Sequence, residues 1–180
     1  MKTVIVFSGK MGGGKSYFSW QTLNYLKSKG YNVRIISIAG KLKKVASVLT
    51  DSPIGNFYRK KNEEWRYGIT NGKLLQILGQ GLFTMINKNL WIDILIDKVK
   101  RSKEDIIIVD DMRYLHEYDA LSTNPYIKLY HIHLISSNTR TDGRDENHQS
   151  ETESSKIPAY KTITNDRTPI SIERVLQGII

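Results

Sequence analysis

The chain has 180 residues, 39% apolar and 25% charged, which suits one domain with a sizeable core and is short for two. It has no cysteine, so disulfides and thiolate metal centres are excluded. The formal charge of +9 favours anionic ligands, which could be nucleic acid or phosphorylated small molecules.

The lysines and arginines are scattered, with local doublets at Lys43-Lys44 and Lys60-Lys61 and no basic arm of the kind that grips DNA. Steering of phosphorylated ligands is the more economical reading of the charge. The apolar run before Gly9 is too short for the core of a signal peptide, and no stretch could span a membrane, so a cytoplasmic protein is expected.

In chain order, residues 3 to 8 are β-branched and apolar, as in a strand buried on both faces. A glycine-rich turn follows, then a helical pattern from 15 to about 29 closed by Gly30. Residues 32 to 38 read as a second strand. Strand, crossover helix and strand within forty residues predict a parallel α/β sheet.

Residues 40 to 50 are expected to be helical, with Leu42, Val45, Ala46 and Leu49 on one face. The polar stretch 51 to 68, broken by proline and glycine, reads as a loop or insertion. Two helices should follow over 71 to 85 and 89 to 100, the second striped by Leu90, Trp91, Ile94, Leu95 and Val99.

Ile106-Ile107-Ile108-Val109 predicts a buried strand that ends in Asp110-Asp111. A helix over 114 to 121, a strand over 128 to 135, a weak strand over 161 to 165 and a helix over 172 to 179 complete the pattern. Between them, residues 136 to 156 lose hydrophobic periodicity, and a polar run that long within a domain is often functional. His131 and His133 share one strand face, but with no third ligand nearby they read as structural or surface residues rather than a metal pair.

Gly9-Lys10-Met11-Gly12-Gly13-Gly14-Lys15-Ser16 satisfies G-x-x-x-x-G-K-[ST] and lies between the first strand and first helix, where such a loop must lie to hold phosphate. Glycines allow backbone N–H groups to curl around phosphate, and the helix start adds unpaired donors. Lys15 is expected to reach the β- and γ-phosphates of ATP and Ser16 to ligate Mg²⁺. Asp110 and Asp111, at the carboxyl end of a central strand, are candidates for a Walker-B carboxylate or, alternatively, a helix cap.

Four further segments, taken with this loop, resemble the bacteriophage-type deoxynucleoside monophosphate kinases. They are Ala39-Gly40-Lys41-Leu42-Lys43-Lys44; Leu74-Leu75-Gln76-Ile77-Leu78-Gly79 with Asn89-Leu90-Trp91; Asp111-Met112-Arg113-Tyr114-Leu115-His116-Glu117; and His148-Gln149-Ser150-Glu151. Ile163-Thr164-Asn165-Asp166 is similar to the family's terminal segment as well. The chain departs from the family where an arginine usually precedes Gln76: Gly72 and Lys73 stand there, and Arg66 or Lys73 could supply the cation. Gln80 also replaces a common threonine.

The resemblance implies one P-loop kinase domain over 1–180, with a helical acceptor-binding insertion at about 40–100 and a lid at about 136–156. It implies transfer of the γ-phosphoryl group of ATP to a deoxynucleoside monophosphate (dNMP), with Mg²⁺, to give the diphosphate and ADP. Gly9, Lys10, Gly12, Gly13, Gly14, Lys15 and Ser16 would bind ATP, and Ser16 and Asp111 the metal. Lys10, Lys43, Arg66, Gln76, Trp91, Arg113 and Glu117 would bind the acceptor. Lys15, Arg113, Arg140 and Arg144 would neutralise the transferred group. The attacking phosphate oxygen is already ionised, so no base is required and catalysis is positioning plus charge cancellation.

ATP and a dNMP are the expected partners, with no membrane and no stable nucleic-acid partner; a homodimer is left open. Two other functions remain compatible with the loop. One is a P-loop ATPase acting on nucleic acid, although no DNA-binding motif is visible. The other is a P-loop kinase for another small phosphate such as phosphomevalonate.

Overall fold

A computed structural model describes the chain except for Met11, residues 137–152, 154–155 and 167–169, and the side chains of Phe83 and Thr84. Arg140, Arg144, the His148 to Glu151 signature and most of the expected lid lie outside the described residues.

The described residues form two compact units, one of Met1–Ser37 with Ile96–Ile180 and one of Ile38–Leu95. The first unit is built on a five-stranded sheet. Its strands are β1 (Lys2–Gly9), β2 (Val33–Ile35), β5 (Ile106–Val109), β6 (Ile127–Ser136) and β7 (Lys161–Asn165), in the order β2-β5-β1-β6-β7. Every neighbouring pair is parallel, with Val4 opposite both Ile107 and Leu129. This is the parallel α/β sheet that the sequence predicts.

Alternation along the strands creates two faces. Ile5 and Phe7 of β1, Ile106 and Ile108 of β5, and Tyr130, Ile132 and Leu134 of β6 pack with Phe18, Leu23 and Leu26 of helix α1 (Lys15–Ser28). Val175, Leu176 and Ile179, in and just after the last helix, α7 (Ile172–Leu176), close the same cluster. That helix is shorter than expected because the backbone leaves helical geometry at Gln177, whose ψ is 125°, and Gly178 follows with a left-handed φ of 84°. The opposite face carries Val4, Val6, Ile107 and Val109, all fully buried. Helix α6 (Leu115–Ser122) lies against this face, with the Tyr118 ring 5.9 Å from that of His131.

The second unit contains α2 (Gly40–Thr50), α3 (Asn56–Arg59), the strands β3 (Glu64–Arg66) and β4 (Ile69–Thr70), α4 (Asn71–Met85) and the start of α5 (Leu90–Arg101). Ala46, Phe57 and Leu74 form its core, with Trp65, Ile69, Leu75 and Leu78 packed around them. The stretch 51 to 68 is therefore not a plain loop. It holds one turn of helix and half of a hairpin, whose two-residue turn puts Tyr67 at φ 56° and Gly68 at φ 70°. Two apolar stripes also differ from expectation. Leu42 and Ala46 of α2 are buried, whereas Val45 and Leu49 are exposed; α5 buries Ile92, Leu95, Ile96 and Val99 in place of Leu90, Trp91 and Ile94. No described helix is long and apolar enough to cross a membrane.

Candidate functional site

The glycine-rich turn leaves β1 at Gly9, whose φ of 135° only glycine adopts readily. A Cβ there would also fall 2.3 Å from the Leu134 carbonyl oxygen of β6, so the neighbouring strand leaves no room for a side chain. The loop then folds on itself, the Gly13 N–H donating to the Lys10 carbonyl at 3.0 Å. Gly14, left-handed at φ 93°, turns the chain into α1, and the Gly14 carbonyl accepts the Phe18 N–H at 2.9 Å. The first N–H groups of such a helix have no partner within it and carry its positive end.

Lys15 opens α1 and returns over the loop, donating to the Gly9 carbonyl at 2.6 Å and the Lys10 carbonyl at 2.8 Å. An ammonium group held there adds charge to the backbone donors. Lys10 and Gly12 are exposed beside it, and Gly13 is buried. From β7, the Asn165 amide donates to the Gly13 carbonyl at 3.1 Å, and a Cβ on Gly14 would lie 2.5 Å from the same nitrogen. The glycine loop thus has a side-chain tether from the far edge of the sheet.

The two acids after β5 have different partners. The Ser16 hydroxyl donates to Asp110 at 3.2 Å, whereas Asp111 accepts a short hydrogen bond from Ser37, just beyond β2. The expected companion of Ser16 is Asp111; the observed one is Asp110. Neither acid caps α6, whose N-cap is Tyr114. The hydroxyl of Ser16 and the carboxylate of Asp110 are hard oxygen donors, the type that Mg²⁺ takes.

Arg113 and Glu117 lie in and just after the segment that follows these acids. Glu117 is 7% exposed, and its Oε2 accepts the backbone N–H groups of Arg113 at 2.7 Å and Tyr114 at 3.0 Å. Burial pushes its pKa up to about 7, with the Asp111 charge adding to the rise and the two N–H donors and Arg113 opposing it. The sequence reading has Glu117 contact the acceptor. Its observed bonds hold the backbone at Arg113 and Tyr114.

The other expected acceptor residues lie in the second unit. Lys43 is 8% exposed, with its ammonium 4.0 Å from the centre of the Tyr58 ring. Trp91 is half-buried, and its indole N–H points at the Gly79 carbonyl at 3.4 Å. Gln76 and Lys73 are exposed on α4, and Arg66 is exposed on β3 with its guanidinium 6.0 Å from the Trp65 ring. A Cβ at Gly72 would come within 3.1 Å of the Lys61 carbonyl oxygen, so a larger residue there would crowd the backbone at Lys61, before the hairpin.

Among the described residues, no group of three or more His, Cys, Asp or Glu side chains could hold a metal. Sequence reasoning missed the contacts made by Asn165 and Ser37. Asn165 carries a signal, through its likeness to the family's terminal segment, but no indication that it reaches the glycine loop.

No protein-family model matches this chain, and no curated protein matches it. Among solved structures, a proposed kinase from Chloroflexus aurantiacus J-10-fl is similar at 12% identity and a TM-score of 0.53, over 99% of this chain and 93% of that one. A gluconokinase from Sinorhizobium meliloti 1021 (14% identity, TM-score 0.44, 97% and 87% covered) is also similar. So is a shikimate kinase from Acinetobacter baumannii, solved with shikimate (12%, 0.42, 99% and 90%). The first likeness agrees with the parallel sheet flanked by helices and shows that this chain shares the α/β fold of that structure.

Proposed function

We propose that this protein is a deoxynucleoside monophosphate kinase that transfers the γ-phosphoryl group of ATP to a dNMP. The observation that carries the reading is the convergence on one loop of Lys15, the Ser16–Asp110 pair and the Asn165 tether. The choice of a dNMP as acceptor rests on the resemblance of the segments at 39–44, 74–91, 111–117 and 148–151.

In this reading the loop 9–16 binds the ATP phosphates through its N–H groups, with Lys15 countering their charge. Ser16 and Asp110 would hold Mg²⁺, which would supply further charge neutralisation at the phosphates. Arg113, on a backbone fixed by Glu117, meets the negative charge of the reacting groups. The second unit recognises the acceptor: Gln76 offers an amide to a base edge, Trp91 offers an indole face, and Lys43, Arg66 and Lys73 offer cations. Arg140 and Arg144 enter on the sequence alone, as cations for the phosphoryl group in transfer. The acceptor oxygen is ionised beforehand, so these residues bind, orient and neutralise, and none need remove a proton.

The test is a coupled ADP-release assay over the common dNMPs and NMPs with Mg-ATP. ADP release that depends on at least one dNMP supports the reading. ADP release that depends on DNA, or on a small phosphate such as phosphomevalonate, with no nucleotide acceptor used, would replace it.

A further inference from the structure

Directly before the phosphate loop, on the sheet face away from α1, three polar side chains meet among otherwise apolar ones. Ser8 of β1 stands opposite His133 of β6, and Val6 stands opposite His131, so both imidazoles share the face of the Ser8 side chain. The Ser8 Oγ lies 2.6 Å from His131 Nε2 and 2.8 Å from His133 Nδ1. His131 Nδ1 lies 2.7 Å from the Pro158 carbonyl oxygen. Ser8 is fully buried and His131 is 2% exposed.

These contacts, with His131 neutral, give each bond a direction. A carbonyl oxygen only accepts, so His131 carries its hydrogen on Nδ1 and donates it to Pro158. Burial holds the His131 pKa below its ordinary value, so the ring is neutral and Nε2 is an acceptor. The Ser8 hydroxyl must then donate to His131 Nε2, and its oxygen must accept from His133 Nδ1–H. The chain runs from His133 through Ser8 and His131 to Pro158, and among the described residues it leaves His133 Nε2 as an open end.

A proton added at that end would break none of these bonds. Two things oppose it. Burial lowers the His133 pKa first, and the charge of Lys15 lowers it further. The other groups packed around His133 add no counter-charge among the described residues. Along its own strand lies neutral His131, Thr162 opposes it on β7, and α6 turns Tyr118 toward His131. Lys15 is therefore the ionic influence to consider, and its ammonium lies on the carbonyl of Gly9, the residue after Ser8.

We propose that His133 is a positioning residue of the phosphate loop that takes up a proton at Nε2 when a polyphosphate binds. An anion over Lys15 cancels the repulsion that keeps the ring neutral and supplies attraction in its place. The proton comes from solvent, no bond in the chain is lost, and the imidazolium adds a cation behind the loop. The inference rests on the nucleotide-binding reading above but does not depend on the acceptor.

The test is NMR of the histidine rings in the full-length protein, titrated from about pH 5 to 8.5 with and without saturating Mg-ADP. Long-range nitrogen–proton correlations report the tautomers, and His133→Asn, which keeps a donor to Ser8, identifies the His133 signals. Free protein should show Nδ1–H tautomers at both His131 and His133. With Mg-ADP the His133 pKa should rise by roughly one pH unit or more, while His131 should stay neutral. Calorimetry near pH 6.5 should then show more proton uptake in wild type than in His133→Asn. Binding of Mg-ADP with an unmoved or lowered His133 pKa overturns this inference alone, as would an Nε2–H tautomer at His133. Absence of Mg-ADP binding would take the nucleotide reading down with it.

Discussion

The Ser16 hydroxyl donates to the Asp110 carboxylate at 3.2 Å, which joins the start of α1 to the end of β5. Asp111, the next residue, is bonded to Ser37 instead. Successive side chains at a strand end point to opposite sides, so only one of the two acids can be on the side of Ser16.

Asp110→Asn should therefore slow phosphoryl transfer by on the order of a hundredfold, with a steeper Mg²⁺ requirement, since a charged oxygen donor is lost. Asp111→Asn should act mainly through the Ser37 contact and cost less. Turnover measured against Mg²⁺ concentration ranks the two, and the opposite ranking would return the metal role to Asp111.

The Asn165 tether gives a second expectation. Asn165→Ala removes a hydrogen bond to the Gly13 carbonyl, which is worth about 1 kcal/mol or roughly a fivefold loss in ADP affinity. Gly14→Ala should be much worse, because the new Cβ meets Asn165 and the φ of 93° is strained for alanine. Removing Asn165 in the same chain should relieve the clash but not the strain. Calorimetry of the three variants measures this, and full rescue by the double change would mean that the backbone there is not constrained.

Glu117 makes stability depend on pH in a defined direction. Its folded-state pKa of about 7 is above the ordinary 4.5, so the folded protein holds the proton more tightly than the unfolded chain. The resulting stabilisation is complete below about pH 4.5 and is lost as pH rises through about 7. Glu117→Gln, which still offers an oxygen to Arg113 and Tyr114, should flatten that slope, with a change of no more than about 3 kcal/mol across the window. Thermal melts from pH 5 to 8 compare the two. Equal slopes would place the carboxyl in a wetter setting.

Much of this was legible in the sequence, and the remainder has identifiable physical reasons. Ile106 to Val109 and the apolar start of β1 announce buried parallel strands because both faces of such strands are covered. The glycine loop is visible because its chemistry depends on adjacent residues. The hairpin at Glu64–Thr70 was hidden because its strands are too short to show alternation. The choice between Asp110 and Asp111 depends on how β5 ends, which adjacent identical residues cannot reveal. The Ser8, His131 and His133 chain depends on β1 lying beside β6, a pairing between residues more than a hundred positions apart.

The central claim is that a dNMP accepts phosphate from ATP held by the loop that contains Lys15. The most direct measurement is chromatographic separation of the nucleotides after incubation with Mg-ATP and each dNMP, for wild type and Lys15→Ala. The expected result is ADP and a deoxynucleoside diphosphate formed in equal amounts, with kcat lower by on the order of a hundredfold or more in Lys15→Ala. ATP consumed without any nucleoside diphosphate formed from the acceptor, or a Lys15→Ala protein that turns over as wild type does, would contradict it.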